Sequence, residues 1–179
     1  MPDVPADAFA RIQLLLLDVD GVLTDGRIVY TDAGDELKAF HVRDGSALKL
    51  WRQSGRRVAI LSGRSSPTVT RRAAELGIDP VVQGADEKLP ALTRILTDAG
   101  LRPDQVCAVG DDLPDLPVLR HCGLAATVAD AVPEVKAIAH FVTTAPGGQG
   151  AVREVVEWLM RGQGTWDSVV NGLAATGSR

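Results

Sequence analysis

Leu14-Leu15-Leu16-Leu17 runs directly into Asp18-Val19-Asp20-Gly21, and this junction constrains the fold more than any other stretch. A short run that is apolar at every position reads as a fully buried strand. Two carboxylates spaced i, i+2 then stand where that strand would run out into a glycine turn. In a purely structural chain they would repel each other and lose solvation. A bound divalent cation would remove that cost. Open parallel sheets place their ligands beyond this end of the strands.

The rest of the chain repeats the theme. Residues 14–18, 59–61, 81–82, 106–109 and 124–128 are apolar or β-branched runs of strand length. Between them, 46–53, 67–76, 87–99 and 114–121 carry apolar residues at helical spacing, and Leu76-Gly77 and Ala99-Gly100 mark two helix ends. Strands alternating with helices of this length predict right-handed crossovers and a mainly parallel sheet. With 179 residues, one domain is expected.

One segment breaks the alternation. Residues 26–31 and 36–42 flank Asp32-Ala33-Gly34-Asp35 and read as a β-hairpin just after the acidic turn. It is either an edge hairpin of the sheet or an element buried against another subunit. Ile28, Tyr30, Leu37 and Phe40 make too little core to stand alone, which favours the second. Beyond Gly162-Gln163-Gly164 a polar tail with one aromatic, Trp166, is expected over 163–179.

Composition excludes several classes. The net charge of −4 and scattered basic residues give no footprint for nucleic acid. No apolar run approaches ~18 residues and the N-terminus lacks a basic signal region, so no membrane span and a cytoplasmic location are expected. Cys107 and Cys122 have no partner at metal-ligand spacing and read as free thiols. His41, His121 and His140 are dispersed and read as structural.

Four polar elements fall at the ends of successive expected strands: Asp18 with Asp20, Ser62-Gly63, Lys88, and Gly110-Asp111-Asp112. Alone, Ser62-Gly63 reads as a turn or cap, Lys88 as a surface charge and Asp111-Asp112 as a helix cap. In this order their chemistry is complementary. Asp18 and Asp111 supply hard oxygen ligands of the kind that favour magnesium. Ser62, the Gly63 N–H and Lys88 can hold phosphoryl oxygens. Asp20 is then free for proton transfer to a leaving alcohol and from water. The set points to phosphoryl transfer.

These elements, together with Leu113-Pro114-Asp115, resemble the four motifs of the haloacid dehalogenase-like phosphohydrolases. The resemblance implies an α/β, Rossmann-like parallel sheet flanked by helices, an aspartyl-phosphate on Asp18, acid/base catalysis by Asp20, and magnesium held by Asp18, the Asp20 carbonyl and Asp111. Asp20-Gly21-Val22-Leu23-Thr24-Asp25-Gly26, Val42-Arg43-Asp44-Gly45, Ser62-Gly63-Arg64, Val128-Ala129-Asp130-Ala131 and the run from Gly147 through Glu154 are similar, more narrowly, to the 3-deoxy-D-manno-octulosonate 8-phosphate phosphatase family. That resemblance implies a phosphatase domain over 10–162, with the 26–42 hairpin inserted and no cap domain. It further implies a homotetramer in which a neighbour's tail reaches each site. Thr24, Arg64 and Arg72 are placed with the sugar acid, whose carboxylate asks for cations beyond the phosphate site. Asp112 and Asp115 are placed behind the metal ligands.

For Arg153 a surface ion pair stays open, and for the 147–150 glycine run either an anion contact or a plain helix start. Residues 1–9 carry no reading. Within enzymes the rival is a phosphatase of a related nonulosonate 9-phosphate; similar enzymes of that kind tend to carry an acid where this chain has Arg64. A receiver-like domain and a non-catalytic oligomeric relative are the rivals of other classes. In the receiver resemblance the phosphorylated acid follows the third strand, whereas here it follows the first.

Overall fold

A computed structural model describes residues 4–5 and 7–176. The last three residues of the expected 163–179 tail, and residues 1–3 and 6 of the leader, lie outside the described residues. A short helix α1 (Ala8–Arg11) leads into β1 (Leu14–Leu17), whose four leucines are all buried. A small hairpin, β2 (Val29–Tyr30) with β3 (Glu36–Leu37), follows, then α2 (Val42–Gln53) and β4 (Arg57–Leu61). The chain continues as α3 (Pro67–Leu76), β5 (Val81–Val82), α4 (Lys88–Ala99), β6 (Val106–Val109) and α5 (Leu116–His121). It ends with β7 (Leu124–Thr127), α6 (Pro133–Ile138), β8 (Phe141–Val142), α7 (Ala151–Gly162) and α8 (Trp166–Thr176).

Six strands form one parallel sheet in the order β5-β4-β1-β6-β7-β8. The chain leaves β1 toward β4 and β5 on one side and later builds β6 to β8 on the other. The crevice above β1 is therefore the switch point where such sheets bind ligands. Register fixes what meets there: Leu17 pairs with Ile60 on one side and Val109 on the other, so Asp18, Ser62 and Gly110-Asp111 emerge at nearly one level.

Helices flank the sheet. α2 packs on α7, and α7 turns Val152, Val155, Val156, Leu159 and Met160 inward, all fully buried. Residues of this size stabilise by about 1.5–3 kcal/mol each on burial, which makes α7 a principal clamp on α2.

Four differences from the sequence reading have local causes. The sheet has a sixth strand, β8, preceded by helix α6; Phe141-Val142 stands between His140 and Thr143-Thr144, without the paired β-branched residues that mark β5. Among the described residues the hairpin pairs only with itself, so it is no edge of the main sheet, and its return strand stops at Leu37 instead of reaching 42. α2 starts at Val42, four residues before the expected Ser46, with Asp44 in its first turn, where an acid complements the helix terminus. The expected tail is helical over Trp166–Thr176, with Trp166 buried.

Candidate active site

Asp18 leaves β1 into a tight turn in which Val22, Leu23 and Thr24 all donate their N–H to the Val19 carbonyl. Gly21 makes the turn possible. Its φ is +91°, and a Cβ there would lie 2.1 Å from Asp111 Oδ2. Only a residue without a side chain lets the carboxylate after β6 approach the turn after β1.

Asp18, Asp111 and Asp115 each bring a carboxylate oxygen to within 4.8 Å of the others. Lys88, the first residue of α4, reaches Asp115 Oδ1 at 2.6 Å and Asp18 Oδ1 at 3.0 Å. Its ammonium is almost wholly buried; burial opposes its charge, but Asp18 and Asp115 outweigh that and hold its pKa above the ordinary range. Burial, then Asp115, raises the Asp18 carboxyl despite Lys88. Burial, with Asp115 and Asp18 as neighbouring charges, pushes Asp111 up to about 7.

The three acids are not equivalent. Asp115 spends Oδ1 on Lys88 and Oδ2 on the backbone N–H groups of Asp111 and Asp112. Asp111 Oδ1 is buried with no hydrogen-bond partner among the described residues. A buried, partnerless carboxylate oxygen beside a second crowded carboxylate is a costly arrangement that a cation would relieve. The donors are all oxygen, which suits a small hard divalent ion. Asp18 and Asp111 thus fit a metal, and Asp115 holds Lys88 and the Gly110-Asp111-Asp112 backbone in place behind them.

Ser62 and Gly63, two of the residues expected to hold phosphate, follow β4, the strand that pairs with β1. Ser62 anchors its loop by donating its N–H to Val82 O and accepting from Ala85 N. Its Oγ accepts from the Arg64 N–H at 3.3 Å, which leaves the hydroxyl proton free to donate. Gly63 is exposed beside it.

Asp20 points elsewhere. Its Oδ1 is paired with Lys38 Nζ, and Arg64 Nε lies 3.6 Å from its Oδ2. Arg64 also donates to Glu36 Oε1 at 2.7 Å. Lys38 and Glu36 were not singled out from the sequence. The available signal was strand periodicity: positions 36 and 38 of the hairpin return share a face opposite Leu37.

Two expected substrate contacts are spent within the protein. Thr24 is buried; its hydroxyl donates to Val19 O and accepts from Gly26 N, so it closes the acidic turn. Arg72 pairs with Glu75, stands 5.9 Å from the Phe40 ring centroid and lies against Gly45, so it packs α3 on α2. Asp112 is exposed and caps the turn at Leu113. Arg153 stacks on Trp166 at 4.7 Å, which joins α8 to α7. The glycine run is a helix start pressed on the acidic turn: a Cβ on Gly147 would fall 1.8 Å from Gly21 O. Burial raises both thiols, Cys122 to about 12. A groove of about 970 Å³ beside β5 and α4, lined by Asp79, Gln83, Arg94 and Asp98 among others, contains none of the motif residues.

Comparison with known proteins places this geometry in context. A family model for haloacid dehalogenase-like hydrolases matches residues 81–155. The chain is 46% identical over 167 residues to 3-deoxy-D-manno-octulosonate 8-phosphate phosphatase of Escherichia coli K12, covering 92% of this chain and 89% of that protein. It is 47% identical over 157 residues to the Salmonella typhi phosphatase of the same description, covering 88% and 84%. The crystal structure of the corresponding Moraxella catarrhalis phosphatase, in complex with magnesium, phosphate and KDO, superposes with a TM-score of 0.91 at 41% identity over 94% of this chain and 97% of that one. The cobalt-bound Haemophilus influenzae phosphatase gives 0.85 at 40% identity, over 89% and 93%.

Proposed function

The chain belongs to the 3-deoxy-D-manno-octulosonate 8-phosphate phosphatase family of haloacid dehalogenase-like hydrolases, and on that premise we propose that it hydrolyses this eight-carbon sugar acid phosphate through an aspartyl-phosphate on Asp18. It is a phosphoric monoester hydrolase, and its cofactor is magnesium. The observation that carries the assignment is the cluster at the switch point: Asp111 with a buried, unpartnered Oδ1 beside Asp18, and Lys88 fixed between Asp18 and Asp115.

Asp18 and Asp111 hold the magnesium, with the Asp20 carbonyl as a third protein ligand. When bound, the ion supplies positive charge that lets a carboxylate approach a phosphate dianion. Ser62 Oγ–H, the Gly63 N–H and the Lys88 ammonium hold the phosphoryl oxygens and the charge that develops on them. An Asp18 carboxylate oxygen forms a bond to phosphorus as the bond from phosphorus to the sugar oxygen breaks, and Asp20 gives that oxygen its proton. Asp20 then takes a proton from water, whose oxygen bonds to phosphorus while the bond to Asp18 breaks. One water is consumed, and phosphate, sugar acid and both carboxyl groups are recovered. Arg64, exposed at the mouth beside Asp20, is suited to the sugar acid's carboxylate and supports the eight-carbon substrate over the nine-carbon alternative.

Assembly follows from the hairpin. Ile28, Val29, Tyr30 and Leu37 are all exposed, a concentration of apolar surface suited to burial between subunits of a homotetramer. The test of the reaction is phosphate release from the sugar acid phosphate with magnesium and with excess chelator, in the wild type and in Asp18→Asn. The expected result is turnover only for the wild type with metal. Undiminished hydrolysis by the variant would overturn the covalent route.

A further inference from the structure

We infer that Lys38, from the hairpin, is a positioning residue that fixes the orientation of the Asp20 carboxyl. The inference rests on the phosphatase reading above and deepens it.

The Lys38 side chain is only 1% exposed and its ammonium is paired with Asp20 Oδ1, with Glu36 Oε1 a further 3.6 Å contact. A buried ammonium is tolerated where charged partners compensate it. These partners are specific ones: Asp20, two residues beyond the nucleophile, and Glu36, which also binds Arg64. An ammonium has three donors and no acceptor. An oxygen held by it accepts a hydrogen bond, so Oδ1 is tied to the hairpin and Oδ2 is left on the side of the Ser62-Gly63-Arg64 loop, 3.6 Å from Arg64 Nε. Lys38 also prevents rotation of the carboxyl about its terminal torsion, which is otherwise broad. The hairpin thereby acts in catalysis through its second strand, while the paired Val29 and Leu37 lie on its other face.

A group that orients the general acid matters in proportion to how much the leaving oxygen needs a proton. A sugar alkoxide needs it greatly, phenolate less, and p-nitrophenolate hardly at all. kcat/KM reports the chemistry up to the first irreversible step, departure of the alcohol, and so isolates this role from the later activation of water by the same carboxyl. With magnesium present, kcat/KM is measured for the sugar acid phosphate, phenyl phosphate and p-nitrophenyl phosphate in the wild type, Lys38→Met, Lys38→Arg and Asp20→Asn. Lys38→Met should lose about 10²-fold on the sugar acid phosphate, less on phenyl phosphate and least on p-nitrophenyl phosphate. Asp20→Asn should show the same gradient, and Lys38→Arg the same gradient with a smaller loss.

Equal losses on all three esters, from either Lys38 variant that keeps the wild-type thermal melt, would overturn the inference and leave Lys38 a structural ion pair. A rise in KM confined to the sugar acid phosphate, with the two aryl esters unaffected relative to each other, would overturn it in favour of a grip on the sugar acid. Failure of the wild type to release phosphate from any of the esters would instead overturn the phosphatase reading itself.

Discussion

At the residue scale the site is governed by crowded negative charge. The Asp111 carboxyl is pushed up to about 7 mainly by burial, so its carboxylate form becomes scarcer as pH falls through that region, and a metal binds the carboxylate form. Protons and magnesium therefore compete. As pH falls through 7, the magnesium concentration for half-maximal activity should rise, by about tenfold per pH unit for one competing proton, while activity at saturating magnesium persists. Titrating magnesium at pH 6, 7 and 8 checks this; a half-saturation that stays constant contradicts it. Arg64 belongs to the same scale. Arg64→Ala should weaken the sugar acid phosphate far more than a simple aryl phosphate, because a charge-assisted bond to a carboxylate can be lost only by a substrate that has one. Matching losses in kcat/KM for both esters would move Arg64 into the phosphate site or into structure.

At the scale of elements, the active-site turn depends on a helix that contributes nothing to the chemistry. α7 begins after the 147–150 glycine run, and Asp44 of α2 caps it from across the structure: Asp44 Oδ1 accepts from the Arg153 N–H at 2.8 Å, with Gly150 N–H also bonded to this carboxylate. The cap presses Gly147 and Gly148 on the backbone of the acidic turn, where Gly148 N–H donates to Val22 O at 3.0 Å. Asp44→Ala should cost about 1–2 kcal/mol in urea unfolding and lower turnover with it; wild-type stability in the variant would contradict the capping role.

Burial raises the Asp44 carboxyl above its ordinary value of 3.8. The folded protein then keeps a proton at a pH where the unfolded chain has lost it. Stability associated with Asp44 is therefore highest in acid, falls as pH rises from 3.8 through the folded value, and is level beyond. Asp44→Asn keeps an acceptor without the charge, so the stability of wild type relative to this variant should decline from pH 4 to 7. A constant difference across that range would contradict the shift.

At the scale of the whole molecule, the hairpin has two faces with different work. One sends Glu36 and Lys38 to Asp20 and Arg64; the other leaves the paired Val29 and Leu37 about half exposed, at 45% and 54%. If the second face is a subunit interface, Val29→Asp combined with Leu37→Asp should convert the proposed homotetramer to smaller particles by light scattering, with the thermal melt of the sheet core largely preserved. A wild-type monomer at micromolar concentration would contradict the assembly.

Local chemistry alone determined the parallel α/β sheet, its switch point and four motifs in order, because buried strands must be apolar on both faces and crowded carboxylates there are costly without a cation. Leu14-Leu15-Leu16-Leu17 followed by Asp18 and Asp20 carried that information within a few residues. The pairings across the fold were not legible. Lys38 meets Asp20 through a hairpin turn, Asp44 meets Arg153 over more than a hundred residues, Lys88 meets Asp18 and Asp115 through the placement of α4, and Thr24 and Arg72 make packing contacts within the protein. Which charge meets which depends on where distant backbones are brought together, and that is decided by burial and close packing of the whole core, to which no short stretch of sequence has access.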